Sequence, residues 1–284
     1  MLEVRDLRRT FGDFVAVDDV TFSLPEGGSL AVVGESGSGK TTTARMVAGL
    51  ETPSSGQILV GGKERGGGRV GSRERRARGR QIQLVFQDPY SSLDRRQRAY
   101  DAVAEAVQLH QRPSADEVRA RVAELMDMVG LDDRQARSLP KSLSGGQRQR
   151  VAIARALAAE PRVLILDEAV AALDVSIQAQ ILGLLARIRR DTGTALLFIT
   201  HDLGAIRHIS DDVLVMQGGR VIEQGPVASV LEHPQEAYTR RLIESIPKPG
   251  WTPQKRAGKA AAGARTIREP RPRSSGGRRR LSTS

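Results

Sequence analysis

Three short stretches of this chain carry residues whose types and spacing suit phosphate chemistry. In Gly34-Glu35-Ser36-Gly37-Ser38-Gly39-Lys40-Thr41 the glycines bracket a loop that closes on a lysine and a hydroxyl, the phosphate-loop pattern. Glycine-rich backbone lets N–H groups converge on phosphate oxygens, and a helix starting at the loop's end adds its positive dipole end. Lys40 is expected to reach the β- and γ-phosphates, Thr41 to ligate Mg²⁺, and Thr42 to donate to a further phosphate oxygen. The rival dinucleotide fingerprint fails, because Thr42 stands where its third glycine belongs. The second stretch, Val163-Leu164-Ile165-Leu166-Asp167-Glu168, ends an apolar run in adjacent carboxylates. At the C-terminal end of a buried strand, Asp167 would hold Mg²⁺ and Glu168 would orient or deprotonate an attacking water. The third, Leu143-Ser144-Gly145-Gly146-Gln147, offers nearly bare backbone amides ahead of a helix opened by Gln147. A chain with a single phosphate loop and a single such run is read as presenting the run to a second chain's nucleotide.

The elements that must position these residues follow from patterning. Leu2–Leu7 and Val17–Leu24 read as strands around a turn at Gly12-Asp13, and Ser29–Val33 as a short apolar strand leading into the loop. Lys40–Leu50 is helical by composition, with Gly49 and Pro53 as stop signals. Gln57–Val60 returns as a strand, and residues 61–80, rich in glycine and arginine, read as an exposed excursion. Helical patterning fills residues 97–137, broken at Pro113, and continues over Gln147–Ala158. Val163–Leu166 and Ala195–Thr200 are continuous apolar runs, as expected of parallel strands buried on both faces. Val175–Arg190 reads as an amphipathic helix between them, and Gln217-Gly218-Gly219 as a hairpin turn.

Composition narrows the function classes. The formal net charge is +11, yet residues 248–284 hold eleven Lys or Arg against one acid, Glu269, so residues 1–247 are nearly neutral. That basic, low-complexity tail reads as disordered and solvated, with weak attraction to anionic lipid or RNA as the competing reading. Aromatic residues are only 3% of the chain, which disfavours base-stacking platforms. No cysteine is present, which removes disulfides and thiolate metal sites. No apolar stretch near Met1 suggests a signal peptide, and no run is long enough for a membrane helix, so a transport role would need other chains to form the pore.

Together these stretches resemble the nucleotide-binding subunit of an ABC transporter over about residues 2–247. Val33 to Thr42, Val85-Phe86-Gln87-Asp88-Pro89-Tyr90-Ser91-Ser92-Leu93 and Ala172 to Gln180 are similar to the ATPases of dipeptide, oligopeptide and nickel importers. His233-Pro234-Gln235 followed by Tyr238-Thr239 resembles that subgroup's C-terminal extension. The resemblance implies that Gln87 senses Mg²⁺ and links the site to the membrane partner, and that His201 contacts the γ-phosphate. It further implies that Asp174 communicates across a dimer and that Ser144, Gly145 and Gly146 bind the γ-phosphate held by the partner subunit. Phe11 lies where the family often stacks an aromatic on adenine; a core or turn phenylalanine is the competing reading. Ala169-Val170 follow Glu168 where the family usually has Pro-Thr or Pro-Ser, which leaves both carboxylates in place.

The expected fold is α/β: a P-loop NTPase core with a mostly parallel sheet, an N-terminal antiparallel β lobe and an inserted helical subdomain. The expected organisation is an ATP-binding domain over 1–247, with the helical insertion at about 88–158 and a C-terminal extension at about 226–247, followed by a tail over 248–284. The resemblance implies an ATPase using ATP and Mg²⁺ that powers import of peptides or nickel from the cytoplasmic face of a membrane. Its partners would be a second ABC ATPase subunit, identical or different, two transmembrane permease subunits and an extracytoplasmic substrate-binding protein, with no specific nucleic acid. The alternative is a soluble ABC ATPase acting on nucleic acid or ribosomes. Such proteins usually carry two cassettes or a long coiled coil, and this chain has neither.

Overall fold

The computed structural model describes residues 1–65, 71–86, 93–111 and 113–245. Two sheets form around a run of short apolar strands. β1 (Leu2–Phe11), β2 (Phe14–Leu24), β4 (Ser55–Val60) and β5 (Lys63–Glu64) make an antiparallel sheet in the order β2-β1-β4-β5. β3 (Ser29–Val33), β6 (Ile82–Val85), β7 (Val163–Asp167), β8 (Ala195–Ile199), β9 (Asp212–Gln217) and β10 (Arg220–Pro226) form the second sheet in the order β10-β9-β3-β8-β7-β6. All its neighbouring pairs are parallel except β9 with β10.

The continuous apolar runs are explained by what lies on each face. Side chains alternate across a strand, and here both sides are covered. Leu164, Leu166, Leu196 and Phe198 join the core shared with the helices. Val163, Ile165, Leu197 and Ile199 join a second core with Leu2, Leu7, Val17 and Met46, beneath the antiparallel sheet. A strand buried on both sides has no polar face to alternate with.

Helices supply the outer layers: α1 (Lys40–Ala48), α2 (Ser72–Gln81), α3 (Ala99–Gln111), α4 (Ala115–Met128), α5 (Asp133–Ala136), α6 (Gly145–Leu157), α7 (Val175–Thr192), α8 (Leu203–Ile209), α9 (Val227–Glu232) and α10 (Ala237–Glu244). Val118, Val122, Leu125 and Met126 form the buried stripe of α4, as their spacing predicts. Its start is fixed by a capping box, in which Ser114 Oγ accepts from the Glu117 amide and Glu117 Oε2 accepts from the Ser114 amide.

The structure extends or alters several expectations. β1 and β2 are longer than expected, meeting at Gly12-Asp13. Part of the expected excursion at 61–80 is α2, which buries no residue. Polar ties hold it instead: Glu74 pairs with Arg78, Arg65 donates to the Arg78 carbonyl, and Arg80 Nε donates to the Ala159 carbonyl at 3.1 Å.

Candidate nucleotide site

The loop that follows β3 is pressed between two neighbouring strands. Gly34 (φ +150°) and Gly39 (φ +100°) adopt backbone conformations that L side chains rarely take. A Cβ on Gly34 would fall on the Met216 carbonyl oxygen of β9, and one on Gly39 would lie 2.6 Å from the Ala16 carbonyl oxygen of β2. Bare backbone is therefore required for packing as well as for approach by a ligand. Lys40 opens α1 and is 5% exposed. Its Nζ donates to the carbonyls of Gly34 (2.7 Å) and Glu35 (2.8 Å) and to Ser38 Oγ (3.4 Å). Burial pushes the Lys40 pKa down, opposed by the carboxylates of Glu168, Asp167 and Glu35.

β3, β8 and β7 are adjacent and parallel, so their C-terminal ends share a rim. The loop, His201 and the Asp167-Glu168 pair all emerge there, as ligand-binding residues do in such sheets. Thr41 Oγ1 donates to Asp167 Oδ1 at 3.2 Å. Burial pushes the Asp167 pKa up, against the Thr41 hydrogen bond and the nearby Arg45 and Lys40 charges. Thr41 and Asp167 are oxygen donors of the kind a hard cation uses beside phosphate oxygens. Among the described residues no group of three or more His, Asp or Glu gathers as a self-contained metal site.

Glu168 has φ +49°, a left-handed backbone for a non-glycine residue, and its amide donates to the Ile199 carbonyl at 2.9 Å. This turn leaves the carboxylate partly exposed, with Oε1 3.5 Å from His201 Nδ1. Ala169 and Val170 are buried in the core instead of opening a proline turn.

α7 carries a link that the sequence reading missed. Gln178 Nε2 donates to Asp202 Oδ2 at 2.7 Å, while Asp202 Oδ1 caps α8 directly after His201. Asp174, four residues before Gln178, caps α7 by accepting from the Ile177 amide. In the sequence Gln178 lies within the Ala172 to Gln180 stretch, with no pattern that ties it to Asp202.

Ser144 caps α6 in a capping box with Gln147. Gly145 and Gly146 lie against Leu173 and Ile177 of the segment around Asp174. Phe11 is 46% exposed, and the Arg9 guanidinium sits 4.5 Å from its ring centroid. Gln87 lies outside the described residues. Thr42 is half-buried in the first turn of α1, and Ser36 and Gly37 are on the exposed crest of the loop.

A parallel sheet with a phosphate loop on one strand and paired carboxylates on the strand two places away defines a P-loop nucleoside-triphosphatase core. The family model described as ABC transporter matches residues 17–171, and the chain belongs to that family. It is 46% identical over 243 residues to the oligopeptide transport ATP-binding protein OppD of Mycobacterium tuberculosis, covering 86% of this chain and 39% of that protein. The chain thus spans well under half the length of that relative. It is 40% identical over 239 residues to the oligopeptide transport ATP-binding protein OppF of Lactococcus lactis, covering 84% of this chain and 74% of that one. Among solved structures it is similar to a dimeric post-hydrolysis state of the ATP-binding cassette MJ0796 bound to ADP and phosphate. That likeness has a TM-score of 0.71 and 28% identity, over 80% of this chain and 99% of the other.

Proposed function

We propose that this chain binds and hydrolyses ATP in a dimer with two composite sites and thereby powers import of peptides through membrane-embedded partner subunits. The observation that carries the reading is the shared rim of β3, β8 and β7, where Thr41 meets Asp167 at 3.2 Å and Glu168 faces His201 at 3.5 Å. The backbone amides of Gly37 to Thr42 and the Lys40 ammonium bind the triphosphate. Lys40 exchanges its carbonyl partners for phosphate oxygens as it does so. Thr41 and Asp167 would hold Mg²⁺, which when bound would supply charge neutralisation to the phosphates. Glu168 accepts the proton of the attacking water, and His201 steadies both that carboxylate and the terminal phosphate. Ser144, Gly145 and Gly146 of one protomer close on the nucleotide held by the other, excluding water and adding amide donors where charge develops. Gln87 and Asp174 relay the state of the site toward the membrane subunits and across the dimer.

Among the described residues no helix is long and apolar enough to cross a membrane; the peripheral role at the cytoplasmic face is inferred from the transport relatives. A cleft of about 230 Å³ between β6, α3 and α6 is lined by Leu84, Phe86, Ala102, Ala106, Leu109 and Arg155. Phe86 and Leu109 stand 39% and 53% exposed there beside the polar Gln83, Glu105 and Arg155, a mixed seat for a cytoplasmic segment of a permease. Peptide is the favoured cargo because both oligopeptide-transport relatives align over more than four-fifths of this chain.

The experiment is steady-state ATP hydrolysis by the purified chain and by Glu168→Gln. Hydrolysis is expected to fall by about 10²-fold or more on loss of the base, while ATP still binds and holds the dimer closed. Turnover at the wild-type rate in Glu168→Gln would remove the base assignment.

A further inference from the structure

Helix α10, the last among the described residues, reaches back to the phosphate loop. Its second residue, Tyr238, is only 6% exposed, and its hydroxyl accepts a hydrogen bond from the Glu35 amide at 2.9 Å. The helix is held in place from β10. The Glu223 carboxylate accepts from the Gln235 amide at 2.8 Å and the Glu236 amide at 3.2 Å, gripping the turn just ahead of α10. The Gly34–Glu35 peptide group is consequently held at both ends. Its carbonyl accepts from Lys40 Nζ at 2.7 Å and its N–H donates to Tyr238.

The two holds differ in permanence. Lys40 Nζ gives its three donors to the Gly34 and Glu35 carbonyls and to Ser38 Oγ, so any contact with phosphate draws on these same donors. Tyr238 holds the N–H end of the peptide and shares none of the Lys40 acceptors. The more of its donors Lys40 gives to phosphate, the more the orientation of this peptide rests on the Tyr238 hydroxyl. We propose that Tyr238 is a positioning residue for ATP binding, which clamps the Gly34–Glu35 peptide from outside so that the loop keeps its shape when Lys40 turns to the nucleotide. The inference rests on the nucleotide reading above and extends it to a segment far from the phosphate site in sequence.

Because nucleotide competes for the Lys40 donors that share the task, loss of the hydroxyl should fall mainly on the bound state. Tyr238→Phe keeps the buried ring and removes only the acceptor. The Kd for ATP with Mg²⁺, measured by calorimetry on the full chain, is expected to rise about fivefold, the worth of an ordinary hydrogen bond. KM for ATP should rise in parallel while kcat stays within about twofold. Hydrogen exchange in the peptide spanning the loop should quicken in the ATP-bound variant, with the β7 and β8 segments unchanged. Tyr238→Leu, which also deletes the ring, serves as the packing control. If Tyr238→Phe binds ATP as the wild type does, the inference is overturned, even where Tyr238→Leu weakens binding. If the wild type itself binds no ATP, the nucleotide reading falls and this inference with it; intact wild-type binding with an unaltered Tyr238→Phe removes the inference alone.

Discussion

A Cβ placed on Gly146 would lie 2.5 Å from Ile177 Cγ2, although the backbone there is an ordinary helical first turn that accepts any side chain. The constraint is contact with α7, and it is separate from the bare-amide approach that the Ser144-Gly145-Gly146 run suggests from sequence. Two demands on one residue can be pulled apart. Gly146→Ala alone should destabilise the chain by about 1–3 kcal/mol, the range for overpacking a filled site, read as a lower midpoint in denaturant. Adding Ile177→Ala opens the space, so the Gly146→Ala cost should shrink in that background, a coupling that a double-mutant cycle measures. The new methyl points at Ile177, so turnover should follow the packing, falling in Gly146→Ala and returning in the double variant. Recovery of both stability and turnover would show Gly146 to be a packing residue only.

At the scale of elements, the two sheets are tied at one side by a single carboxylate. Asp18 on β2 receives Arg220 of β10 through Nε at 2.8 Å and Nη2 at 2.5 Å, and Arg8 of β1 at 2.6 Å, while its amide donates to the Gly219 carbonyl. The Arg220 hydrogen bonds, with the Arg8 charge, hold the Asp18 carboxyl below its usual pKa despite partial burial. A depressed folded pKa means the unfolded chain binds the proton first as pH falls. Stability from this tie is therefore complete above the unfolded carboxylate value and drains away as pH drops through the lower folded one. Asp18→Asn should unfold at a lower temperature than wild type at pH 7, with the two midpoints converging under acid; a gap that persists unchanged at pH 3 would assign the loss to something other than charge. No sequence pattern announces this tie, since Arg8, Asp18 and Arg220 are brought together only by the finished fold. What was legible were features with a local cause: the apolar runs of β7 and β8, the α4 stripe, the break at Pro113, and the glycine loop before Lys40. Helix α2 was not, because a segment such as Arg73 to Arg80 has no apolar period and gains its order from partners at Arg65 and Ala159. Gln178 and Tyr238 were missed as site residues for the same reason, each acting through a partner distant in the chain.

The whole molecule carries one phosphate loop and one Ser144-Gly145-Gly146 run, so under the proposed composite-site reading a dimer of two copies would draw each site's loop from one protomer and its run from the other. A two-fold axis makes the two sites equivalent and lets them be disabled independently. Lys40→Ala removes the loop lysine, and Ser144→Arg places a bulky cation on the exposed first residue of the run; either homodimer should be inactive because both of its sites carry the lesion. In an equimolar mixture about half the dimers combine one of each, and in these the two lesions fall in the same site. The other site then has an intact loop from the Ser144→Arg protomer and an intact run from the Lys40→Ala protomer. Hydrolysis should recover to about a quarter of the wild-type rate if sites act independently, and to less if closure requires both, as judged by comparing single-turnover with steady-state rates. A site built within one protomer makes the opposite demand: each chain keeps its own lesion whatever its partner, and mixing restores nothing. Activity appearing only on mixing, and rising with the product of the two protomer fractions, therefore separates a seam between copies from a self-sufficient chain.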